Sequence, residues 1–266
     1  MPIELNNRAV ELLEMRLDAL SPQEAVGRII ESSDGGCVLT PNLQHLRAHR
    51  RSAAVRSAFR RCELVVPDGI PLIWASRIQG TPLPDRVAGS DLVWSLSQAA
   101  ARRERTLFLL GGAPGTADDA AAELRRRFPG LGIAGTHCPP LGFERSPAAM
   151  DEIQARIAAA RPDLIYIGLP LAKQLVVMDS LRGTVPRAWQ VGLGISFSFV
   201  TGDVRRAPAW AQRTGLEWLF RLAQEPRRLG RRYLVEGLPF FAGLMASAAG
   251  RRLFAGRSRR FSPAES

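Results

Sequence analysis

The chain has 266 residues, 46% of them hydrophobic and 23% charged, which suffices for one sizeable core or one core with an appendage. Its formal net charge of +11 points to an anionic partner: nucleic acid, an acidic membrane surface, or phosphates. Repeats and low-complexity segments are absent, no run reaches the roughly 18 uninterrupted apolar residues of a membrane span, and "MPIELNNRAVELLEMRLDAL" at the start lacks the basic-then-apolar order of a signal peptide.

Along the chain, short β-rich runs alternate with helical patterns. The predicted strands are "GCVLT" (36–40), "ELVVP" (63–67), "TLFLL" (106–110), "GIAGT" (132–136), "DLIYIG" (163–168) and "WQVGLG" (189–194). Amphipathic stretches such as "TADDAAAELRRRF" (116–128) and "SPAAMDEIQARIAAA" (146–160) separate several of them. Continuous apolar strands divided by helices imply a parallel sheet with right-handed crossovers, an α/β Rossmann-like sandwich. The expected core is residues 1–203.

Residues 204–266 differ. "RTGLEWLFRLAQ" places Leu216, Leu219, Phe220 and Ala223 at helical spacing, and Pro226 stands where a further helix can begin. Thirteen arginines lie between Val204 and Arg260, opposed by Glu217, Glu225 and Glu236 alone. Arg227, Arg228, Arg231 and Arg232 are expected to cluster on one side. This reads as a basic, helical, membrane-associating appendage. "GLPFFAGLMASAAG" (237–250) suits an interface but is too short to cross a bilayer comfortably. Cys37, Cys62 and Cys138 are odd in number and widely spaced, so reduced thiols in a cytoplasmic protein are expected.

Ligands of open α/β sheets bind beyond the carboxyl ends of the strands. At those ends stand Thr40, a plausible helix cap followed by Pro41 and Asn42; Asp68, closing the apolar run "VVPD"; and the small-residue loop "GGAPGT" with Gly111 and Gly112. Lys173, the chain's only lysine, and Gln174 follow the fifth run, and Gly192 and Gly194 end the sixth. The glycine loops offer backbone N–H groups to a phosphate. A lone Asp68 reads either as a solvated turn residue or as an acid beside a bound phosphorylated ligand, and the convergence of polar groups favours the second. His45 and His49 lack the acid of a metal-binding H-E-x-x-H site and are expected on a solvated helix face. Neither a G-x-S-x-G elbow nor an Asp-x-Asp pair occurs, so no metal site is expected and arginines or helix N-termini must neutralise a diphosphate.

"TPN", "VVPDGIPLIWASRIQGTPLPDRVAGSDL", "LFLLGGAPG", "GLPLAKQ" and "GLEWLFRLAQEPRRLGRRYL", in that order, resemble the WecG/TagA/CpsF family of bacterial glycosyltransferases from about residue 38 to 235. The resemblance implies an inverting enzyme that moves a sugar from a UDP-sugar to a polyprenyl-diphosphate-linked saccharide in surface polysaccharide biosynthesis. It also implies a peripheral location on the inner face of the plasma membrane, against anionic lipid, with no cofactor. Asp68 matches the family's catalytic base, and Thr40, Asn42, Arg86 and Gln174 match its polar pocket. Arg227, Arg228, Arg231 and Arg232 fall in the appendage that closes over the site. Two stretches depart from the pattern: "PLAKQL" stands where G-A-P-K-Q-E is usual, and "FSFVTG" where F-D-F-L-A-G is usual, so donor contacts differ there.

Two rival functions remain. A nucleotide-dependent oxidoreductase would want G-x-G-x-x-G in the loop after a strand, with an acid about 20 residues on, which none of the loops that follow the predicted strands supplies. A nucleic-acid-binding protein would interleave aromatics with its basic residues, whereas Trp210, Trp218 and Phe220 sit at core spacing. Nucleic acid is therefore not the expected partner. Homo-oligomer formation stays open.

Overall fold

All six predicted runs become strands; five are largely buried between helical layers, while the run at 132–137, half-buried throughout, lies at the sheet's edge. A computed structural model describes residues 9–260, leaving aside the side chains at positions 209, 213, 228 and 254–260. An antiparallel hairpin comes first: β1 (Ala9–Leu12) and β2 (Met15–Asp18), joined through Leu13 and Glu14. Both turn residues have positive φ, 47° and 68°, the geometry of a tight two-residue turn. Nothing in the sequence marked this hairpin, since no Asn or Gly advertises the turn.

The main sheet consists of β3 (Gly36–Leu39), β4 (Leu64–Val65), β5 (Thr106–Gly111), β6 (Gly132–His137), β7 (Leu164–Gly168) and β8 (Trp189–Gly192). Their spatial order is β4-β3-β8-β7-β5-β6, every pair parallel. One face is covered by α2 (Leu43–Arg51), α3 (Ala53–Arg60), α7 (Pro147–Ala160) and α8 (Leu171–Leu181). The other carries α1 (Pro22–Glu31), α5 (Gly89–Arg102), α6 (Thr116–Arg127) and α9 (Ser196–Val200). Crossovers that step towards β4 use the first face, and those that step towards β6 use the second, as right-handed connections require. The chain therefore leaves β3 and β8 on opposite faces, and a crevice opens at their carboxyl ends. Helix α4 (Ile70–Gln79) follows β4 at the sheet's edge.

Helices α10 (Ala209–Arg213), α11 (Glu217–Gln224), α12 (Pro226–Gly230) and α13 (Leu238–Arg260) complete the chain. A π-helical turn, Arg231–Gly237, joins α12 to α13 without a break. Consequently Arg231–Leu253 is one 23-residue helical stretch whose most apolar 18-residue window has a mean hydropathy of 1.2, enough by length and composition alone to cross a membrane. This differs from the expectation for 237–250, because the helix begins upstream of that stretch and adds Tyr233, Leu234 and Val235 to it. Part of it packs inward: Leu244 and Ala248 are buried, and Trp74 of α4 meets Phe241 edge to face at 6.1 Å.

Two expectations need correction. Cys37 and Cys62 form a disulfide, their Cα atoms 5.0 Å apart, and only Cys138 is free. The pairing of adjacent parallel strands β3 and β4 brings together two cysteines that sequence spacing kept apart. His49 is 2% exposed and stacks edge-on against Phe59 at 5.6 Å, while His45 faces a cavity, so neither lies on a solvated face. Burial and the nearby arginines hold the His49 imidazole below its ordinary pKa.

Ile167 sits fully buried in the middle of the sheet. Ile167→Ala is expected to cost about 2–5 kcal/mol in urea unfolding monitored by circular dichroism, with an unchanged m-value.

Candidate active site

Two cavities meet at Asp68. The larger, about 760 Å³, runs along the carboxyl ends of β3, β5, β7 and β8. The smaller, about 390 Å³, lies between α4 and the C-terminal helices, and Ile70, Trp74, Leu216, Trp218, Tyr233 and Phe241 make much of its wall. Asn42, Gln44, Asp68, Glu217, Arg221 and Arg232 line both.

Asp68 is held there by its backbone. Val66 N–H donates to Leu39 O at 2.9 Å, and Asp68 N–H donates to Pro41 O at 2.8 Å, which extends the β3–β4 pairing beyond the strand itself. The carboxyl group keeps some surface towards the cavity while protein encloses its other sides, and its pKa is pushed up to about 7. Enclosure is the chief cause. Arg86 opposes it, Glu217 reinforces it, the Gly89 N–H donated to the carboxylate opposes it, and Asp91 adds a further push upward. Helix α5 begins at Gly89 with no side-chain cap of its own, so Asp68 supplies an acceptor to that helix N-terminus from another part of the chain.

Charged pairs tie this centre to the C-terminal helices. Arg86 Nη1 lies 3.1 Å from Glu217 Oε2 and its Nη2 lies 3.7 Å from Asp91 Oδ2. Arg206 grips Asp91 with both Nη atoms, at 2.5 and 2.7 Å. Bidentate geometry of this kind is the strong form of the arginine–carboxylate pair.

Thr40 does not cap α2. Its hydroxyl donates to Gly192 O at 3.3 Å, joining β3 to β8 under the cavity floor. The cap is Asn42, whose Oδ1 accepts from Gln44 N–H at 3.0 Å and His45 N–H at 3.2 Å. The chain stays extended through Asn42, with φ −109° and ψ −174°, so the helix starts two residues later than the sequence suggested. Gln174 is buried in the cavity wall, directly over Gly192: a Cβ at position 192 would stand 1.8 Å from its Nε2. Gly194 lies on the same wall.

The remaining expected residues are less central. Gly112 borders the cavity, but its N–H is already donated to Gly168 O at 2.9 Å. Asp118 and Asp119 occupy the first turn of the helix that follows. Their negative charge weakens the pull of that helix N-terminus on an anion. Gly111 keeps the backbone close, since a Cβ there would meet Gly168 O at 2.8 Å. Lys173 Nζ sits 3.1 Å from Glu144 Oε2 and over the Phe143 ring, at the rim. Of the arginine cluster, Arg232 reaches both cavities, while Arg227 and Arg231 line neither; Arg231 Nε lies 3.8 Å from Glu236. Arg228's side chain falls outside the described residues. Of the three described side chains, therefore, only that of Arg232 faces the cavities.

Several cavity residues escaped the sequence analysis. Arg221 lines both cavities, and its buried Nε has no hydrogen-bond partner. Its position four residues after Glu217 on an apolar-faced helix was a usable signal. His45 lies on the larger cavity's wall near Arg232, and enclosure followed by that cation lowers its pKa to about 4. Asp91 and Arg206 offered no local signal, being 115 residues apart. Among the described residues no cluster of three or more His, Cys, Asp or Glu side chains is placed to hold a metal ion.

A parallel α/β sheet with an enclosed carboxylate and the guanidinium groups of Arg221 and Arg232 at its carboxyl edge has its ligand crevice where enzymes of this architecture place theirs. Comparison with known sequences agrees. The profile of the glycosyl transferase WecG/TagA/CpsF family matches residues 10–253, and the chain belongs to that family. The N-acetylglucosaminyldiphosphoundecaprenol N-acetyl-β-D-mannosaminyltransferase of Bacillus spizizenii (strain W23) is 32% identical over 203 residues, 75% of each chain. The Bacillus subtilis (strain 168) protein of the same name is 28% identical over 199 residues, again 75% of each.

Because folding raises the Asp68 pKa from 3.8 to about 7, its contribution to stability is full below pH 3.8 and is lost as pH rises through 7. Asp68→Asn, which removes the buried charge, is expected to raise the melting temperature at pH 8 by about 2–4 °C or more. The gain at pH 5 should be smaller. Scanning calorimetry at the two pH values checks both.

Proposed function

We propose that the protein is an inverting glycosyltransferase that moves a sugar from a UDP-sugar to a polyprenyl-diphosphate-linked saccharide in bacterial surface polysaccharide assembly. The observation that carries the reading is Asp68 at the junction of the two cavities, with a pKa near the working pH. The cleft along the strand ends suits the nucleotide-sugar, and the apolar-walled cavity suits the lipid-linked acceptor. The names of the Bacillus relatives support an N-acetylhexosamine as the transferred sugar and an N-acetylglucosaminyl diphosphate lipid as acceptor.

In this mechanism the ionised Asp68 takes the proton from the acceptor hydroxyl as its oxygen bonds to the anomeric carbon. The bond from that carbon to the UDP oxygen breaks on the opposite face, so the centre inverts. Arg221 and Arg232 neutralise the charge growing on the leaving diphosphate. Arg86 keeps the base ionisable: without its positive charge the carboxyl would stay protonated to still higher pH.

We further propose a division into a catalytic core, residues 1–203, and an appendage, residues 204–266, that closes the site and rests on the inner membrane surface. Leu219, Leu234, Val235 and Leu238 are exposed among the appendage's arginines. Such a mixture suits an anionic leaflet, each basic residue near it contributing about 1 kcal/mol. Flotation with vesicles containing 30% anionic lipid should capture the protein and fail at high salt; indifference to lipid charge would remove this part of the reading.

Asp68→Asn is expected to lower turnover by about 10²–10⁴-fold while leaving UDP-sugar affinity by calorimetry intact. For the native enzyme, kcat/KM should climb with pH through about 7 and then level off, since only the ionised base works. Arg221→Ala and Arg232→Ala should each cost about 10–100-fold in kcat/KM. Near-native turnover by Asp68→Asn would overturn the base assignment.

A further inference from the structure

Strands β3 and β4 carry the site at their carboxyl ends and a disulfide at their opposite ends. Cys37 is the second residue of β3, and Cys62 stands two residues before β4. Strand β4 is only two residues long and has β3 as its sole strand partner, through Val38↔Leu64 and Leu39↔Val65. Beyond it the chain reaches Asp68 on the Val66–Leu39 and Asp68–Pro41 hydrogen bonds, with Val65 N–H donated to Asp18 at 2.8 Å and Val87 N–H to Pro67 O at 2.8 Å. The bond between the sulfurs is the one covalent tie between these two strands.

The setting of the sulfurs is chemically asymmetric. Cys37 is 1% exposed, whereas Cys62 is half-buried and so the more accessible sulfur. Arg182, at the end of α8, holds Nη2 3.5 Å from Cys37 Sγ. That guanidinium is fixed by Arg61 O at 2.6 Å and Glu63 Oε1 at 3.0 Å. Glu63 Oε2 accepts the Cys37 N–H at 2.6 Å, closing the cluster. A positive charge beside one sulfur stabilises its thiolate and makes it the better leaving group.

We propose that Cys37–Cys62 is a thiol–disulfide exchange site, opened by a dithiol reductant, that sets how firmly β4 and hence Asp68 are held. A thiolate of the reductant attacks Cys62 Sγ. The S–S bond breaks, and its electron pair goes to Cys37 Sγ beside Arg182. The reductant's second thiolate then attacks its own sulfur in the mixed disulfide and expels Cys62 Sγ. Two electrons and two protons pass from the dithiol to the two cysteines, and the reductant leaves as a disulfide. Oxidised dithiol reverses the sequence. In a reducing compartment such a bond is transient and reports redox state. The consequence for turnover rests on the role proposed for Asp68; the exchange chemistry does not.

The test uses the full chain, equilibrated at graded ratios of reduced to oxidised dithiothreitol, quenched in acid, unfolded and tagged with a maleimide for mass counting. One tag, on Cys138, is expected at the oxidised end and three at the reduced end. Reduction should lower the melting temperature by about 5–10 °C, because a 25-residue loop is released in the unfolded chain. Sugar transfer should fall roughly three- to tenfold and recover on reoxidation. Arg182→Gln should slow reduction by a similar factor, and Arg182→Lys should restore part of the rate. Three tags without reductant, or one tag at every ratio, would overturn the proposal. So would three tags with unchanged turnover and melting. Failure of UDP to stabilise the oxidised protein would instead sink the UDP-sugar donor reading and leave the exchange site standing.

Discussion

An enclosed carboxylate balanced by one guanidinium organises this molecule. Removing Asp68 from water raises its pKa, and Glu217 and Asp91 raise it further. Arg86 and the N-terminus of α5 pull in the other direction and stop the value near 7. Each opposing group comes from a different element: β4 delivers the acid, the segment before α5 delivers the arginine, and α11 delivers the second acid. Because the balance is electrostatic in a low-dielectric setting, displacement of any one of them shifts the protonation of the acid. The ionised form is unfavourable for folding, a conflict tolerated at functional sites.

The same charges hold the C-terminal helices in place. Arg86 is shared between Asp68 and Glu217, and Asp91 is shared between Arg86 and Arg206. The pairs that latch α11 onto the segment before α5, and the chain before α10 onto α5 itself, are thus the pairs that tune the acid. Position and protonation are set together. Behind this latch, Trp74 and Phe241 pack α13 onto α4, so the wall of the smaller cavity is built partly from α4 and partly from the C-terminal helices.

Much of the architecture was visible locally. Six apolar runs divided by amphipathic helices are enough to imply a parallel sheet, and a carboxyl-end crevice follows from connection handedness. Asp68, Asn42, Gln174 and Arg232 were found by asking what stands at strand ends and on the basic tail. For the glycine loop, composition could not reveal that Gly112 N–H is donated to Gly168 O or that Asp118 and Asp119 stand in the first turn of the next helix. The β1–β2 hairpin was missed because Leu13 and Glu14 adopt positive φ without the residues that normally signal it.

Periodicity and short-range spacing therefore decided the elements, their order and the fold class, since those depend on neighbours three or four residues apart. Long-range proximity decided the rest. Arg206 meets Asp91 across 115 residues, Arg86 meets Glu217 across 131, and Thr40 meets Gly192 across 152. Pairing of β3 with β4 joined Cys37 to Cys62, and packing buried His49. Each of these contacts arises when elements made separately are brought together by burial of their apolar faces, a force that carries no record in local spacing of which polar groups it will set side by side.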